Sequence, residues 1–272
     1  IILEKIRFIL SDLTFTKPFE DKCRKIVHNS PERNPFSTVA QFQMGLLARI
    51  LFSALIDADR QDTADSEKPR TARYRLQGKY KSWDALIERL ESKYAIFETK
   101  NHVDEIRKEV ATHCLRAASR PKGLLTLTVP TGGGKTLASL RFALHHAKDH
   151  DLDRIIYIVP FTTIIDQNAQ VVRNILEPET SPEDSGKIVL EHHSNIGADV
   201  QSWKEKLLTG NLDAPIVFTT MVQFLEALFG AGTRGARRMH QLAKSVIVFD
   251  EIQTLPIKCV HLFNNAINFL VD

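Results

Sequence analysis

The sequence has 272 residues, 43% of them hydrophobic, which is enough to bury the core of one large domain or two modest ones. Its 36 basic and 33 acidic residues leave a formal charge of +3, so the overall charge does not indicate a nucleic-acid partner and any such prediction must rest on local sites. Scattered cysteines exclude a disulfide framework and favour the reducing cytoplasm, and no run approaches the roughly 18 consecutive apolar residues of a membrane span, so no membrane partner is expected.

The first portion of the chain is predicted to be all-helical. Apolar residues recur at helical spacing between residues 38 and 63 and define a helix with a buried face. From residue 64 to 82 charged residues dominate, as expected of a linker or an exposed loop. We therefore expect an all-α domain over residues 1–66, a linker over 67–82 and a second domain over 83–272.

The second domain opens with two amphipathic helical patterns and then alternates short apolar runs with helical ones. Runs that are apolar throughout, without polar alternation, suit strands that helices cover on both faces. The predicted strands span residues 124–129, 155–159, 188–190, 216–219 and 246–249. The predicted fold class is α/β, with a parallel sheet flanked by helices.

A glycine-rich loop, PTGGGKT at residues 130–136, lies between a predicted strand and an amphipathic helical pattern. Glycines allow positive φ angles and bring several N–H groups close to one anion, and the following helix N-terminus adds partial positive charge. Lys135 would neutralise nucleotide phosphates, and the Thr136 hydroxyl would coordinate magnesium. The general phosphate-loop pattern places a glycine at position 129, where this chain has Val129. The predicted nucleotide-binding residues here are Thr131, Gly132, Gly133, Gly134, Lys135 and Thr136.

Two adjacent carboxylates, Asp250 and Glu251, follow the last predicted strand. Ligands of open α/β sheets bind at the carboxyl ends of the strands, so these groups are expected to face the phosphate loop. Asp250 is the natural magnesium ligand, and Glu251 can orient and deprotonate the water that attacks the γ-phosphate. Alone, such a pair is more often a helix cap or a solvated turn. The prediction therefore requires the two carboxylates to converge with Lys135 and Thr136.

Polar residues also follow two other predicted strands, and they begin helical patterns. Hydroxyls and N–H groups at helix N-termini are good contacts for phosphodiesters, although ordinary helix capping is an alternative for each threonine. These residues are Thr162, Thr163, Thr219, Thr220 and Gln223. A basic patch of Arg234, Arg237, Arg238 and Lys244 precedes the acidic pair, and a solvated surface is at least as good an interpretation of it.

Four stretches together resemble the CRISPR-associated helicase-nuclease of type I systems, a superfamily 2 helicase with an N-terminal HD nuclease domain. The box Ser245–Pro256 is similar to that family's Asp-Glu-x-Gln box, and the phosphate loop is similar to the compact first motif of superfamily 2 helicases. Residues 101–107 resemble an adenine-side motif. Residues 55–63 resemble the end of the HD domain, where a metal-ligating aspartate is followed four residues later by a hydroxyl residue.

This resemblance implies a RecA-like P-loop NTPase domain preceded by a partial HD domain. It implies ATP and magnesium as cofactors, single-stranded DNA as the tracked partner and an RNA-guided CRISPR surveillance complex as the recruiting partner. The implied catalytic residues are Lys135, Asp250, Glu251 and Gln253, with Arg107 on the nucleotide and Thr136 and Asp250 on magnesium. The implied DNA contacts are Thr162, Thr163, Thr219, Thr220 and Gln223. Asp59, with Thr63 beside it, would bind a divalent transition metal at the HD site of the full-length protein.

The resemblance has gaps. The sequence contains no His-Asp dipeptide, does not begin with Met and ends soon after the acidic box. We therefore expect a fragment of a longer protein that binds magnesium nucleotide weakly and hardly turns it over, because the family's arginine finger lies in a second RecA-like domain.

Other interpretations stay open at this point. Another superfamily 2 translocase, of a restriction or repair type, would share the phosphate loop but lack the Asp59 to Thr63 cluster and the trailing Leu255-Pro256. A P-loop kinase or signalling NTPase would have no nucleic-acid track. A fragment that only binds its ligands is a further possibility.

Overall fold

The computed structural model describes residues 13–192 and 212–271, apart from residues 68, 70–75 and 77. The chain forms two compact units: residues up to Leu51 group with those from Ile257 onwards, and Phe52–Pro256 form the other unit. The predicted linker over 67–82 lies partly outside the described residues. The predicted domain boundaries therefore stay a prediction.

The secondary-structure elements follow the chain in this order. The helices are α1 (Leu13–Asn29), α2 (Thr38–Glu67), α3 (Trp83–Ile96), α4 (His102–Ala117), α5 (Lys135–Asp149), α6 (Thr162–Leu176), α7 (Met221–Phe229), α8 (Thr233–Ala236) and α9 (Val260–Val271). The strands are β1 (Arg154–Val159), β2 (Val189–His192), β3 (Ile216–Thr220) and β4 (Ser245–Phe249). Short 3-10 turns span Pro31–Arg33, Pro182–Asp184, Met239–Leu242, Ile252–Thr254 and Ile257–Cys259.

The strands form one parallel sheet in the order β2-β3-β1-β4, which confirms the predicted fold class. Ile155, Tyr157 and Val159 of β1 belong to a large apolar cluster with α3, α5 and α6. The alternate residues Ile156 and Ile158 are equally buried, so the strand is covered on both faces. This coverage explains why the strands lack polar alternation.

One predicted strand does not form. Residues 124–129 are irregular and pair with no strand among the described residues, and Leu124 remains 67% exposed. An apolar run becomes a strand only when a neighbour satisfies its N–H and C=O groups. In the described part of the chain, β4 is an edge strand of the sheet and pairs with β1 alone, so no strand lies beside its other edge. The prediction of a strand at 124–129 was therefore wrong for this chain.

α2 is long enough and apolar enough to cross a membrane by length and composition alone, and 22% of its most apolar window is buried. Polar residues such as Gln43 and Arg49 interrupt its apolar run, so α2 has no long stretch of consecutive apolar residues. Two of its polar side chains, Ser53 and Asp57, are buried against protein partners. Such contacts are those of a helix packed within a folded protein.

Candidate nucleotide-binding site

The glycine-rich loop adopts a backbone that requires its glycines. Gly132 has a φ of 82° and Gly134 a φ of 79°, both in the left-handed region. A Cβ on Gly133 would lie 2.4 Å from Cγ1 of Val129 and 3.0 Å from the carbonyl oxygen of Pro130. The Val129 side chain is accommodated in the loop because residue 133 has none.

α5 begins at Lys135, directly after the loop, with Gly134 as its N-cap residue. Thr131 is exposed in the preceding turn, and Thr136 is half-buried in the first turn of the helix. The Lys135 Nζ lies 3.0 Å from Oε1 of Glu251, although the two residues are 116 positions apart. The structure therefore brings the phosphate loop and the acidic box together, as their predicted convergence requires.

A backbone hydrogen bond holds the first residue of the acidic pair, Asp250, against the sheet. The Asp250 N–H donates to the Ile158 carbonyl at 2.9 Å, which continues the pairing of β4 with β1 by one residue. Burial and the neighbouring charge of Glu251 raise the pKa of Asp250, and Lys135 acts in the opposite direction. A half-buried carboxylate beside another negative charge is a favourable place for a cation.

Glu251 has φ 52° and ψ 47°, a left-handed conformation that non-glycine residues adopt at some energetic cost. This backbone turns its side chain so that one carboxylate oxygen accepts from Lys135 and the other from the Gln253 amide. The hydrogen bonds from Lys135 and Gln253 hold the pKa of Glu251 below its ordinary value. The carboxylate is therefore ionised and held by two partners.

Arg107 lies against the same loop. Its Nε donates to the Gly132 carbonyl at 3.0 Å, and Nη1 donates to Oδ1 of Asp104 at 3.2 Å. Its aliphatic stem covers Gly134, where a Cβ would lie 3.2 Å from the Arg107 Cγ. The predicted nucleotide residue Arg107 thus contacts the phosphate loop, and the chain places it there from α4, whose N-cap Asn101 accepts from the Asp104 N–H.

The two predicted magnesium ligands lie in the segments that Lys135 and Glu251 connect: Thr136 is in the first turn of α5, and Asp250 directly follows β4. The hydroxyl of Thr136 and the carboxylate of Asp250 are hard oxygen donors, which magnesium prefers, and nucleotide phosphates supply further oxygens. Asp59, the predicted HD-site ligand, is instead exposed on α2, as is Thr63. Within the described ranges, no group of three or more His, Cys, Asp or Glu residues is arranged to hold a metal.

The predicted DNA contacts lie at the carboxyl edge of the sheet. Val159 pairs with Thr220 in the β1–β3 register, so the segments that follow these two strands are neighbours. Thr162 and Thr163 begin α6, where Thr162 is half-buried and Thr163 exposed. Helices α6 and α7 therefore both begin at the edge where the acidic box leaves β4.

The other three predicted DNA contacts already have partners within the protein. Thr219 is 4% exposed, and its hydroxyl lies 3.0 Å from Nδ1 of His192 inside the sheet. Thr220 is the N-cap of α7 and accepts from the Gln223 N–H at 3.2 Å. The Gln223 side chain accepts from Nη1 of Arg238 at 3.2 Å. The capping interpretation is thus realised for Thr220.

Sequence reasoning missed one polar cluster in this unit. Asp57 is 3% exposed, and its Oδ1 lies 2.5 Å from Nε of Arg237. Ser53, one turn earlier on α2, contacts Nδ1 of His240 at 2.9 Å. The available signal was helical spacing, since Ser53 and Asp57 are four residues apart and share one face.

Comparison with known proteins adds two findings. A family model described as DEAD/DEAH box helicase matches residues 105–259, which include the phosphate loop and the acidic box. The CRISPR-associated nuclease/helicase Cas3 of Haloferax volcanii is 30% identical over 154 residues, covering 49% of this chain and 16% of that protein. The chain thus spans a small part of this curated relative.

Proposed function

We propose, since the chain belongs to the DEAD/DEAH box helicase family, that it forms the first ATP-binding domain of a motor that moves along single-stranded DNA in CRISPR interference. The observation that carries this proposal is the 3.0 Å contact between Lys135 and Glu251, which joins the phosphate loop to the acidic box. The similarity to the CRISPR-associated nuclease/helicase of Haloferax volcanii supports the CRISPR setting over another kind of DNA translocase.

The proposed nucleotide site uses groups that the loop already arranges. The backbone N–H groups after Gly132 and the Lys135 ammonium would bind the phosphates, and Arg107 would hold the loop in place through the Gly132 carbonyl. Thr136 and Asp250 would hold magnesium, which neutralises phosphate charge when bound.

Glu251 would act on the attacking water. In the structure its carboxylate is paired with Lys135. When a nucleotide phosphate binds Lys135 instead, Gln253 would be the remaining partner of this carboxylate. The freed oxygen can then orient the water and accept its proton, while Gln253 keeps the side chain in position. The left-handed backbone of Glu251 supports the same geometry because it fixes the direction of the side chain.

Further parts of the proposal rest on the family resemblance. Thr162, Thr163, Thr219, Thr220 and Gln223 would line the DNA strand through backbone N–H groups or hydroxyls. Asp59 would be a metal ligand of an HD nuclease site that the full-length protein completes. A cytoplasmic location and recruitment by an RNA-guided surveillance complex complete the proposal.

Nucleotide binding is the first test. We expect Lys135→Ala to weaken binding of a fluorescent ATP analogue with magnesium about tenfold or more, because it removes a charge-assisted contact with phosphate. Lys148→Ala is the matched control, since this lysine lies at the other end of α5 and pairs with Asp84. Equal loss in both variants, or loss in neither, would contradict the proposed site.

Nucleic-acid stimulation is the second test. ATP turnover by the complete protein should rise when single-stranded DNA is added, and Glu251→Gln should abolish that turnover while nucleotide still binds. If the arginine that faces the γ-phosphate belongs to a second RecA-like domain, as the family resemblance implies, the 272-residue chain alone should turn over ATP slowly, because such an arginine is worth about 10³-fold or more. If single-stranded DNA does not change the rate of ATP turnover, the result would instead favour an NTPase that has no nucleic-acid binding site.

A further inference from the structure

The segment from Thr233 to Leu242, here called the arginine segment, connects α7 to β4. It contains α8 and a 3-10 turn, and it carries Arg234, Arg237 and Arg238. A solvated basic surface would leave these arginines without fixed positions. The structure shows instead a segment anchored at several points, so the arginines differ in what they can do.

The first anchor is an ion pair between the partly buried Arg237 and the buried Asp57. Nε of Arg237 lies 2.5 Å from Oδ1 of Asp57, whose side chain is 4% exposed. The second anchor is Ser53, whose hydroxyl accepts from the His240 N–H at 3.0 Å and contacts the ring of the same residue. Met239 between them is fully buried. Arg237 is therefore engaged as part of the fold and is not available to a ligand.

The segment also packs tightly on α7. A Cβ on Gly235 would lie 2.7 Å from the carbonyl oxygen of Glu226, so the two backbones are in direct contact. Ala236 next to it is 1% exposed. This packing fixes the backbone on which the side chains of the neighbouring arginines are mounted.

Arg238 consequently projects toward the start of α7. Its Nη1 donates to Oε1 of Gln223 at 3.2 Å, while its Nε is buried and has no hydrogen-bond partner. Burial and the neighbouring charges of Arg234 and Arg237 lower the pKa of Arg238, with Glu226 acting in the opposite direction. Arg234 is exposed nearby. Arg234 and Arg238 therefore place two positive charges beside the helix start that Thr220 caps, and the Glu226 carboxylate, which accepts from the Gln223 amide at 3.0 Å, is the negative charge near them.

We propose that Arg238 and Arg234 bind phosphates of the single-stranded DNA backbone beside Gln223. Guanidinium groups match phosphate geometry through paired N–H donors, and a pre-positioned arginine loses little conformational freedom on binding. This inference rests on the proposed function, because it names cationic contacts for the same DNA strand. It also assigns different roles to adjacent residues, with Arg237 positioning the segment and Arg238 contacting the ligand.

Salt dependence of DNA binding provides the experiment. The chain is titrated against a fluorescein-labelled oligothymidylate at several salt concentrations, and anisotropy gives the dissociation constant at each. Loss of one phosphate contact on a single strand lowers the slope of log K against log salt by about 0.7. Arg238→Gln and Arg234→Gln should each show this decrease, and the double variant about twice as much.

Lys244→Gln is the matched control. It also removes one positive charge, but Lys244 lies at the amino end of β4, near Asp151 and Asp153. Its salt slope should equal that of the unaltered chain. Arg238→Lys should keep the slope while binding more weakly, because charge is retained and the paired geometry is lost.

The outcomes separate the two proposals. An unaltered chain that binds the oligonucleotide, with unchanged slopes in both glutamine variants, would overturn this inference and leave the proposed function standing. An unaltered chain that binds no single-stranded DNA would overturn the DNA part of the proposed function, and this inference with it. Arg234→Gln keeps the test decisive if Arg238→Gln fails to fold, because Arg234 is exposed.

Discussion

Val129 and Gly133 occupy one small space in the phosphate loop, where a Cβ on Gly133 would lie 2.4 Å from Cγ1 of Val129. Gly133→Ala should therefore displace the loop backbone and weaken binding of magnesium nucleotide about tenfold, since overpacking of this kind costs about 1–3 kcal/mol. Titration with a fluorescent ATP analogue measures the change.

A second substitution tests the cause of that loss. Val129→Ala removes Cγ1, so the double variant should recover part of the affinity, while the Pro130 carbonyl at 3.0 Å prevents full recovery. Val129→Ala alone should bind almost as well as the unaltered chain. If the double variant binds no better than Gly133→Ala, the contact with Val129 is not what makes the glycine necessary.

Single residues differ in how far the sequence reveals them. The positive φ angles of Gly132 and Gly134 were predictable, because a glycine-rich loop between a predicted strand and a helix is a place where the backbone enters the left-handed region. The left-handed backbone of Glu251 was not, since a non-glycine residue with positive φ leaves no mark in the sequence. The burial of Thr219 was hidden for another reason: its hydroxyl is satisfied by His192, a partner 27 residues away.

At the scale of elements, α3 and α5 are joined by an ion pair. Arg141 of α5 donates to both carboxylate oxygens of Glu91, with its Nε at 2.7 Å from Oε1, and His145 also contacts Glu91, at 3.2 Å. Burial alone would raise the pKa of Glu91, but the hydrogen bonds from Arg141 and His145 outweigh it and hold the pKa below its ordinary value of 4.5.

A lowered pKa fixes the direction of the pH dependence. The stabilisation from Glu91 is complete above pH 4.5, the ordinary value, and is lost as the pH falls through the lower folded value. Glu91→Gln should therefore reduce the free energy of unfolding by about 1 kcal/mol at neutral pH, a value discounted for partial exposure. Urea unfolding should show this difference shrinking towards acid pH.

Glu98→Gln is the control for this prediction. Glu98 pairs with Lys100 at 3.1 Å, but both side chains are more than 70% exposed, so its substitution should change stability little at any pH. A difference between Glu91→Gln and the unaltered chain that is the same at every pH would contradict the assigned ionisation.

Elements were predictable where their own residues decide the structure. The strands buried on both faces were found because they are apolar throughout. Residues 124–129 have the same composition and form no strand, because pairing depends on a neighbour that composition does not report. In α2 the apolar pattern predicted only part of the buried face. Leu55 belongs to that pattern but is 68% exposed, while Ser53 and Asp57 are buried by partners distant in sequence.

At the scale of the whole molecule, the meeting of Lys135 and Glu251 was predictable because ligands of parallel sheets bind at the carboxyl ends of the strands. The meeting of Asp57 and Arg237 was not, since no comparable rule relates a helix to a connection 180 residues later. Only the folded chain shows that α2 holds Arg237 of the basic patch.

This ion pair should have a large coupling energy. Asp57→Ala leaves the partly buried charge of Arg237 without its partner, so it should lower the free energy of unfolding by about 3 kcal/mol. Arg237→Ala should cost less, about 2 kcal/mol, because the Asp57 carboxylate keeps its hydrogen bond from the Gln61 amide and its contact with the His240 ring. The double variant should cost less than the sum of the two by about 2 kcal/mol, because it leaves neither charge unpaired.

Urea unfolding of the four proteins in this cycle measures the coupling. Arg60→Ala is the control on the same helix, because Arg60 reaches Thr233 of the arginine segment at 2.7 Å from an exposed position and should cost about 0.5 kcal/mol or less. Additive losses from Asp57→Ala and Arg237→Ala would contradict the pairing. A large coupling, together with a weaker salt slope for DNA binding in Asp57→Ala, would show that the anchor also positions Arg238, because displacing the segment moves its guanidinium away from Gln223.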